Sequence, residues 1–403
     1  MELNNQQTIL LQRSCAYLFT INHAQNQNFI ESLSPERLKK AFRKKVFQYH
    51  PDRYPDETSE MIKKRQERFG KITTSYKILT QFLAEKDEKP VKKISVSKKI
   101  IAIGGAKGGI GKSIISTNLA VLLSRLKKKT VAADLDLYGP NLHLYFNKIN
   151  FKYSINDFIY GNLDNLAPAI TKTPFGPYLI AGDNSKLGIA NITYAQKMKI
   201  MGAVRKIKSS YVILDLGGDT TFNTLDFFIN ADHRIIVTTC DPAAYLEAIN
   251  FIKASLYRGL NRLSSSGSSD KSPKDKKLEH LIHEVINLGK KNGDKRIKIL
   301  VQRVQNELPG SWPLLRNFIK NFRLNLIINM VDDSRFADKL ATHIKKLVSK
   351  TLLLNLTHLG NITFHPDVKK SSRTLIPAIH HKPSGKPARE LKNIFNKLIK
   401  TAH

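Results

Sequence analysis

Apolar positions change their spacing along the 403-residue chain. From about residue 12 to 84 they recur every three or four residues, the period of amphipathic helices, and no run reads as a strand. Leu38, Phe42 and Val46 form one stripe, with Lys39, Lys40, Arg43 and Lys44 outside it; Phe69, Ile72, Tyr76 and Leu79 form another. Pro51 fits a loop between these two helices. A lysine-rich connector broken by Pro90 follows. Beyond it, short β-rich runs alternate with longer helical patterns, which predicts a mostly parallel sheet flanked by crossover helices. The expected strands are 99–104, 130–134, 178–181, 211–216, 234–239, 323–329 and 360–364. Residues 263–277 are low in complexity and read as a loop. The organisation expected is a helical module at 1–84 with its core at 34–83, a basic linker at 85–98, and an α/β domain at 99–403.

Composition narrows the class. No apolar run approaches the roughly 18–20 residues of a bilayer span, and the first residues lack the pattern of a secretion signal. Two cysteines, Cys15 and Cys240, are too few for a disulfide scaffold, a zinc ribbon or an iron–sulfur cluster within one chain, so the expected location is cytoplasmic. Cys240, at a strand end, is expected to be a small buried residue. Lys plus Arg number 66 against 33 Asp plus Glu, a net charge of +33. Residues 1–99 carry 20 basic and 11 acidic side chains, and residues 336–403 carry 13 and 3. Such an excess attracts nucleic acid or anionic lipid, but it is spread along the chain. A solvated basic surface and a true polyanion site both stay open. The last helix, 388–400, sets Leu391, Ile394, Phe395, Leu398 and Ile399 opposite lysines. Core packing is the preferred reading, a lipid-surface helix at the inner face of the membrane the other.

The strongest chemical signal is Lys107-Gly-Gly-Ile-Gly-Lys-Ser113 between an expected strand and helix. Glycines let a loop curl its N–H groups inward around phosphate oxygens, and the helix N-terminus adds positive potential. Gly108, Gly109, Ile110, Gly111, Lys112, Ser113 and Ile114 would line a nucleotide. Lys112 would reach the β- and γ-phosphates and Ser113 would ligate Mg²⁺. Ala106 stands where the general P-loop has its first glycine, and Lys107 is a second lysine at the head of the loop.

That variant resembles the deviant Walker A loop of the MinD/ParA family of ATPases, and the resemblance covers about 100–403. The family's extra lysine crosses a dimer interface to the other subunit's nucleotide, which implies that role for Lys107. Further matches appear in order. Ala133-Asp-Leu-Asp-Leu-Tyr-Gly-Pro-Asn141 is similar to the second acidic motif, implying that Asp136 positions the attacking water, Asp134 supports the metal shell and Asn141 lies in the first switch. Tyr211-Val-Ile-Leu-Asp215 resembles Walker B, with Asp215 holding Mg²⁺ through water, and Gly217 and Gly218 as the hinge of the second switch. Leu326-Ile-Ile-Asn329 resembles the strand whose asparagine reads adenine. Segments 187–197 and 221–228 are most similar to the FlhG-like branch, whose members set flagellar number or position.

In the helical module, Tyr49-His-Pro-Asp52 sits between the two amphipathic helices. Residues 14–84 resemble a J-domain, with Tyr17 and Leu18 expected to open its first helix. The resemblance implies docking on a DnaK-type chaperone through Arg43, Lys44, Lys45, His50, Pro51 and Asp52. A second copy, His365-Pro-Asp367, follows an expected strand and reads as structural. Together these features imply an ATP- and Mg²⁺-dependent, slowly hydrolysing homodimer switch that brings a chaperone to a cellular assembly. Alternatives are a partitioning ATPase that binds DNA nonspecifically, and an adaptor that does not hydrolyse nucleotide. An iron–sulfur carrier is set aside because the chain has no Cys-x-x-Cys.

Overall fold

The computed structural model describes residues 5–20, 22–23, 26, 29–30, 32–50, 54, 58–87, 98–183, 192–264, 273–288 and 295–400. The chain divides into two compact units, Met1–Ser95 and Val96–His403.

The first unit holds helices α1 (Asn5–Leu18), α2 (Pro35–Tyr49) and α3 (Ser59–Asp87). Tyr17 and Leu18 close α1 rather than open it, because the helical stripe Leu11, Cys15, Leu18 begins earlier than the sequence pattern suggested. These three residues pack with Phe29, Ile30, Leu33, Leu38, Ile72 and Leu79 in one core. Ser34 caps α2 by accepting the Arg37 N–H, and Pro35 occupies its first turn, where a missing N–H costs nothing. Phe42 stacks on Tyr76 with ring centroids 4.0 Å apart, fixing α2 against α3.

The second unit is an eight-stranded sheet. Its strands are β1 (Lys99–Gly104), β2 (Thr130–Leu135), β3 (Ile170–Lys172), β4 (Tyr178–Ile180), β5 (Tyr211–Leu216), β6 (His233–Thr238), β7 (Leu324–Val331) and β8 (Leu356–Thr363). They lie in the order β3-β4-β2-β5-β1-β6-β7-β8, and all pairs are parallel except β3–β4. Strand β3 is an addition to the expected set: three residues, none of them buried, are too few for a periodic signal. Along β1, Ile100 and Ala102 face one core, Ile101 and Ile103 the other. This two-sided burial is the reason the strands read as continuous apolar runs.

Helix α4 (Lys112–Arg125) follows β1, the short α5 (Leu142–Tyr145) and α6 (Ile155–Ile159) follow β2, and α7 (Tyr194–Lys206) precedes β5. Helix α8 (Phe222–Ile229) follows β5. After β6 come α9 (Pro242–Ser264), α10 (Pro273–Ile286), α11 (Arg296–Glu307) and α12 (Trp312–Asn321). Both ends of the expected 263–277 loop are therefore helical; the middle lies outside the described residues. Helix α13 (Ser334–Leu352) joins β7 to β8, and α14 (Pro366–Thr374), α15 (Ala378–His381) and α16 (Lys386–Lys400) close the chain.

In α16, Leu391, Ile394, Phe395 and Leu398 are buried against the sheet. Each such side chain contributes about 1.5–3 kcal/mol by burial, so this face is core and not a free lipid-binding face. No helix among the described residues is long and apolar enough to cross a membrane. His365 is the N-cap of α14, its Nδ1 accepting the Asp367 N–H at 3.2 Å, so the second His-Pro-Asp copy is a helix start. Cys240 is half-buried, not buried, because it lies beyond the end of β6.

Candidate functional site

Strand β1 lies between β5 and β6, and the loop that leaves it crosses the carboxyl edge of the sheet, where parallel α/β folds bind ligands. The conformation of this loop demands glycine at two points. Gly109 has φ +75°, and Gly111, the N-cap of α4, has φ +90°. A Cβ on Gly111 would also lie 2.3 Å from Asn329 Nδ2. Ile110 points into the core and anchors the loop between them. Ile114, in the first turn of α4, is half-buried, and Gly108 is exposed.

Lys112 is buried, and its Nζ donates to the Lys107 carbonyl at 3.0 Å. Burial pushes its ammonium below the ordinary lysine value, against the opposing pull of Asp215, Asp136 and Asp219. Gly218 comes close to the loop: a Cβ there would be 3.0 Å from Gly108 N and 3.1 Å from Lys112 Nζ. The expected second-switch glycine therefore abuts the phosphate loop.

Asp134 on β2 and Asp215 on β5 are paired in register and are both fully buried. Burial pushes the Asp215 carboxyl up to about 6, although hydrogen bonds from Ser113 and Ser116 and the charge of Lys112 oppose the shift. Ser116 Oγ donates to Asp215 Oδ1 at 2.6 Å. Asp134 is raised well above its usual range by burial and then by Asp215, while N–H groups of Leu142 and Asp136 partly hold it down. Two neighbouring carboxylates in this state, with the Ser113 hydroxyl beside one of them, suit a divalent cation that would relieve their repulsion. Among the described residues no three His, Cys, Asp or Glu side chains could hold a metal by themselves. A cation here would need Ser113, water and phosphate oxygens as further ligands, the usual habit of Mg²⁺.

Asp136 is half-buried, and its Oδ1 accepts the N–H groups of Tyr138 at 3.1 Å and Gly139 at 3.0 Å. A Cβ on Gly217 would stand 3.2 Å from that oxygen and 2.9 Å from Asp219 Oδ2, so the two acidic loops converge there. Asn141 caps no backbone N–H with its side chain. Asn329 is buried and donates from Nδ2 to the Ile110 carbonyl at 2.8 Å, a tether on the loop that its strand-end position did not reveal.

Lys107 is half-exposed, with Nζ 2.5 Å from Asp241 Oδ2. The lysine holds that carboxyl below its usual range. Asp241 and Ser116 are site residues that sequence reading missed. Ser116 lies one helical turn beyond Ser113, a findable signal; Asp241 is 134 residues from its partner and carries none.

In the helical unit, Arg43 and Lys44 are exposed on α2, and Lys45 is half-exposed over the Tyr49 ring at 5.8 Å. His50 ends the helix, its N–H donating to the Val46 carbonyl, and its ring meets Phe69 edge-on at 5.2 Å. Pro51 and Asp52 lie outside the described residues.

The CobQ/CobB/MinD/ParA nucleotide binding domain matches residues 101–377, and the DnaJ domain matches residues 29–86. The chain belongs to the MinD/ParA family. Its N-terminal module is a J-domain. The chain is 33% identical over 157 residues to the flagellum site-determining protein YlxH of Helicobacter pylori, covering 38% of this chain and 53% of that protein. It is 42% identical over 67 residues to the iron–sulfur cluster carrier protein of Aquifex aeolicus, 17% of this chain and 18% of the other. The chain thus spans about half of the former relative and less of the latter. The septum site-determining protein MinD of Pyrococcus horikoshii, in complex with Mg-ADP, superposes with a TM-score of 0.51 at 17% identity. That match covers 76% of this chain and 97% of the other, and establishes the shared fold. As a MinD/ParA-family P-loop protein, the chain has the fold of a nucleotide-binding ATPase.

Proposed function

We propose that this chain is an ATP-driven homodimer switch whose J-domain brings a DnaK-type chaperone to the assembly it serves. The observation that carries the switch is Lys107. Its ammonium is half-exposed at the head of the loop and, among the described residues, is held by a surface pair with Asp241. An exposed ion pair is screened by solvent and weak, so exchanging Asp241 for a partner subunit's γ-phosphate costs little. Charge-assisted bonds to phosphate contribute about 1.5–3 kcal/mol each, and two symmetric ones approach the roughly 5.5 kcal/mol that turns a 1:99 equilibrium into 99:1.

Within one subunit, Lys112 meets the β- and γ-phosphates, and Asn329 keeps the loop in register while facing adenine. Asp136 orients the attacking water, its carboxylate fixed by the Tyr138 and Gly139 amides. Ser113, and through water Asp215 and Asp134, would hold Mg²⁺, which would supply charge neutralisation on the phosphates. Hydrolysis is expected to be slow, since these groups position and neutralise without a strong base.

The likeness to YlxH supports a role in positioning a cellular structure, flagella being the leading case. The carrier reading has little support in the chain itself, whose two cysteines are Cys15 and Cys240. The chaperone arm is tested by phosphate release from a DnaK-type chaperone with the full chain added. Wild type should stimulate it and Asp52→Asn should not; equal stimulation by both would sink the chaperone role.

A further inference from the structure

The segments around 194–197 and 221–228 meet in a feature the nucleotide site does not use. Asp226 on α8 is fully buried and receives three cations. Arg258 donates from Nε and Nη2 to its two oxygens, both at 2.7 Å. Lys197 Nζ lies 2.6 Å from Oδ2 and Arg262 Nη2 lies 3.7 Å from it. Burial alone would push the Asp226 carboxyl up, but the bonds from Arg258 and Lys197 outweigh it and hold it below the usual range. One carboxylate therefore faces three positive charges, leaving two in excess, and Arg262 Nε is buried with no hydrogen-bond partner.

These cations line an open cavity of about 750 Å³, together with Tyr138, Tyr194 and Phe222. Arg262 lies 3.5 Å over the Tyr194 ring and Arg258 4.1 Å over that of Phe222. The three aromatic side chains are 55%, 39% and 65% exposed, which is unusual for rings of this size. Exposed aromatic rings beside half-buried Arg around a hollow are the composition of protein-interface hot spots. A small anion would satisfy the charge but leave these rings uncovered. Two walls hang on the acidic loops of the nucleotide site: the Tyr138 N–H donates to Asp136, and the Thr221 N–H and hydroxyl donate to Asp219.

We propose that this cavity docks an acidic segment of a protein partner, its carboxylates on Arg262 and Arg258 and an apolar side chain on Phe222 and Tyr138. The inference stands on the cavity alone and does not require the dimer switch. The test is fluorescence anisotropy of a labelled twelve-residue peptide of alternating Glu and Phe, titrated with the full chain. Arg262→Glu and Phe222→Ala should each weaken binding about tenfold. Lys345→Glu, which makes the same charge change on the exposed face of α13, should leave it nearly unchanged. Circular dichroism checks that each variant is folded. Equal weakening by Arg262→Glu and Lys345→Glu would overturn the proposal in favour of diffuse attraction. Unchanged binding by Phe222→Ala, or displacement by inorganic phosphate but not by chloride at equal ionic strength, would overturn it in favour of a small-anion site.

Discussion

In the sheet unit, Lys112, Asp134, Asp215 and Asn329 are buried, and the backbone around them is locked by glycine conformations and long-range hydrogen bonds. In the helical unit, Arg43 and Lys44 stand exposed on a helix whose only burial task belongs to the opposite stripe. The first arrangement ties the candidate binding groups to the integrity of the core. The second separates them: the hairpin can fold with any solvated side chains on that face, so their identity is free to serve a partner. A MinD/ParA-family chain with a J-domain thus combines a site that must be rigid with a surface that need only be present.

The largest effect that would sharpen this contrast is expected from Gly111→Ala. The new methyl would enter the space of Asn329 Nδ2 at a backbone angle that alanine avoids. It should cost about 1–3 kcal/mol of stability and lower nucleotide affinity by about a hundredfold. Calorimetric binding and urea unfolding check both; a stable variant with normal affinity would break the claim of rigidity.

A second effect, intermediate in size, comes from pH. The Asp215 carboxyl is raised to about 6 and the Asp134 carboxyl well above its usual range, relative to their unfolded values. Their protonated forms are therefore favoured in the fold. The stabilisation this brings is complete below the unfolded carboxylate range and lost as pH rises through about 6 and beyond. Mg²⁺ needs the deprotonated forms, so Mg-nucleotide affinity should fall up to about tenfold per pH unit below about 6. Binding titrations from pH 5 to 8 check it, and a flat profile would contradict the buried pair.

The smallest effect compares the two His-Pro-Asp copies. His365→Ala removes one cap hydrogen bond on α14 and should cost about 1 kcal/mol or less. Chaperone stimulation should not change, unlike the outcome expected for Asp52→Asn. Thermal unfolding and phosphate release measure the two sides.

How much was legible in the chain follows the same division. The turn of the candidate loop could be read because its backbone excludes other residues at Gly109 and Gly111, and the placing of Asp134 and Asp215 because carboxylates ending buried apolar runs stand out. The α2 face could be read from its period. The partners made across the fold could not: Asp241 holding Lys107, Asn329 tethering Ile110 and Asp226 gathering three cations depend on how distant strands and helices are brought together. Local signals also failed where an element was short, as in β3, or where helices extended into polar sequence, as at both ends of 263–277.

The dimer switch is tested most directly by the mass of the full chain in solution with Mg²⁺ and a non-hydrolysable ATP analogue, measured for wild type and Lys107→Ala. It predicts that wild type becomes a dimer with the analogue and returns to monomer with ADP, while Lys107→Ala binds the analogue and stays monomeric. A variant that dimerises as wild type does would contradict it.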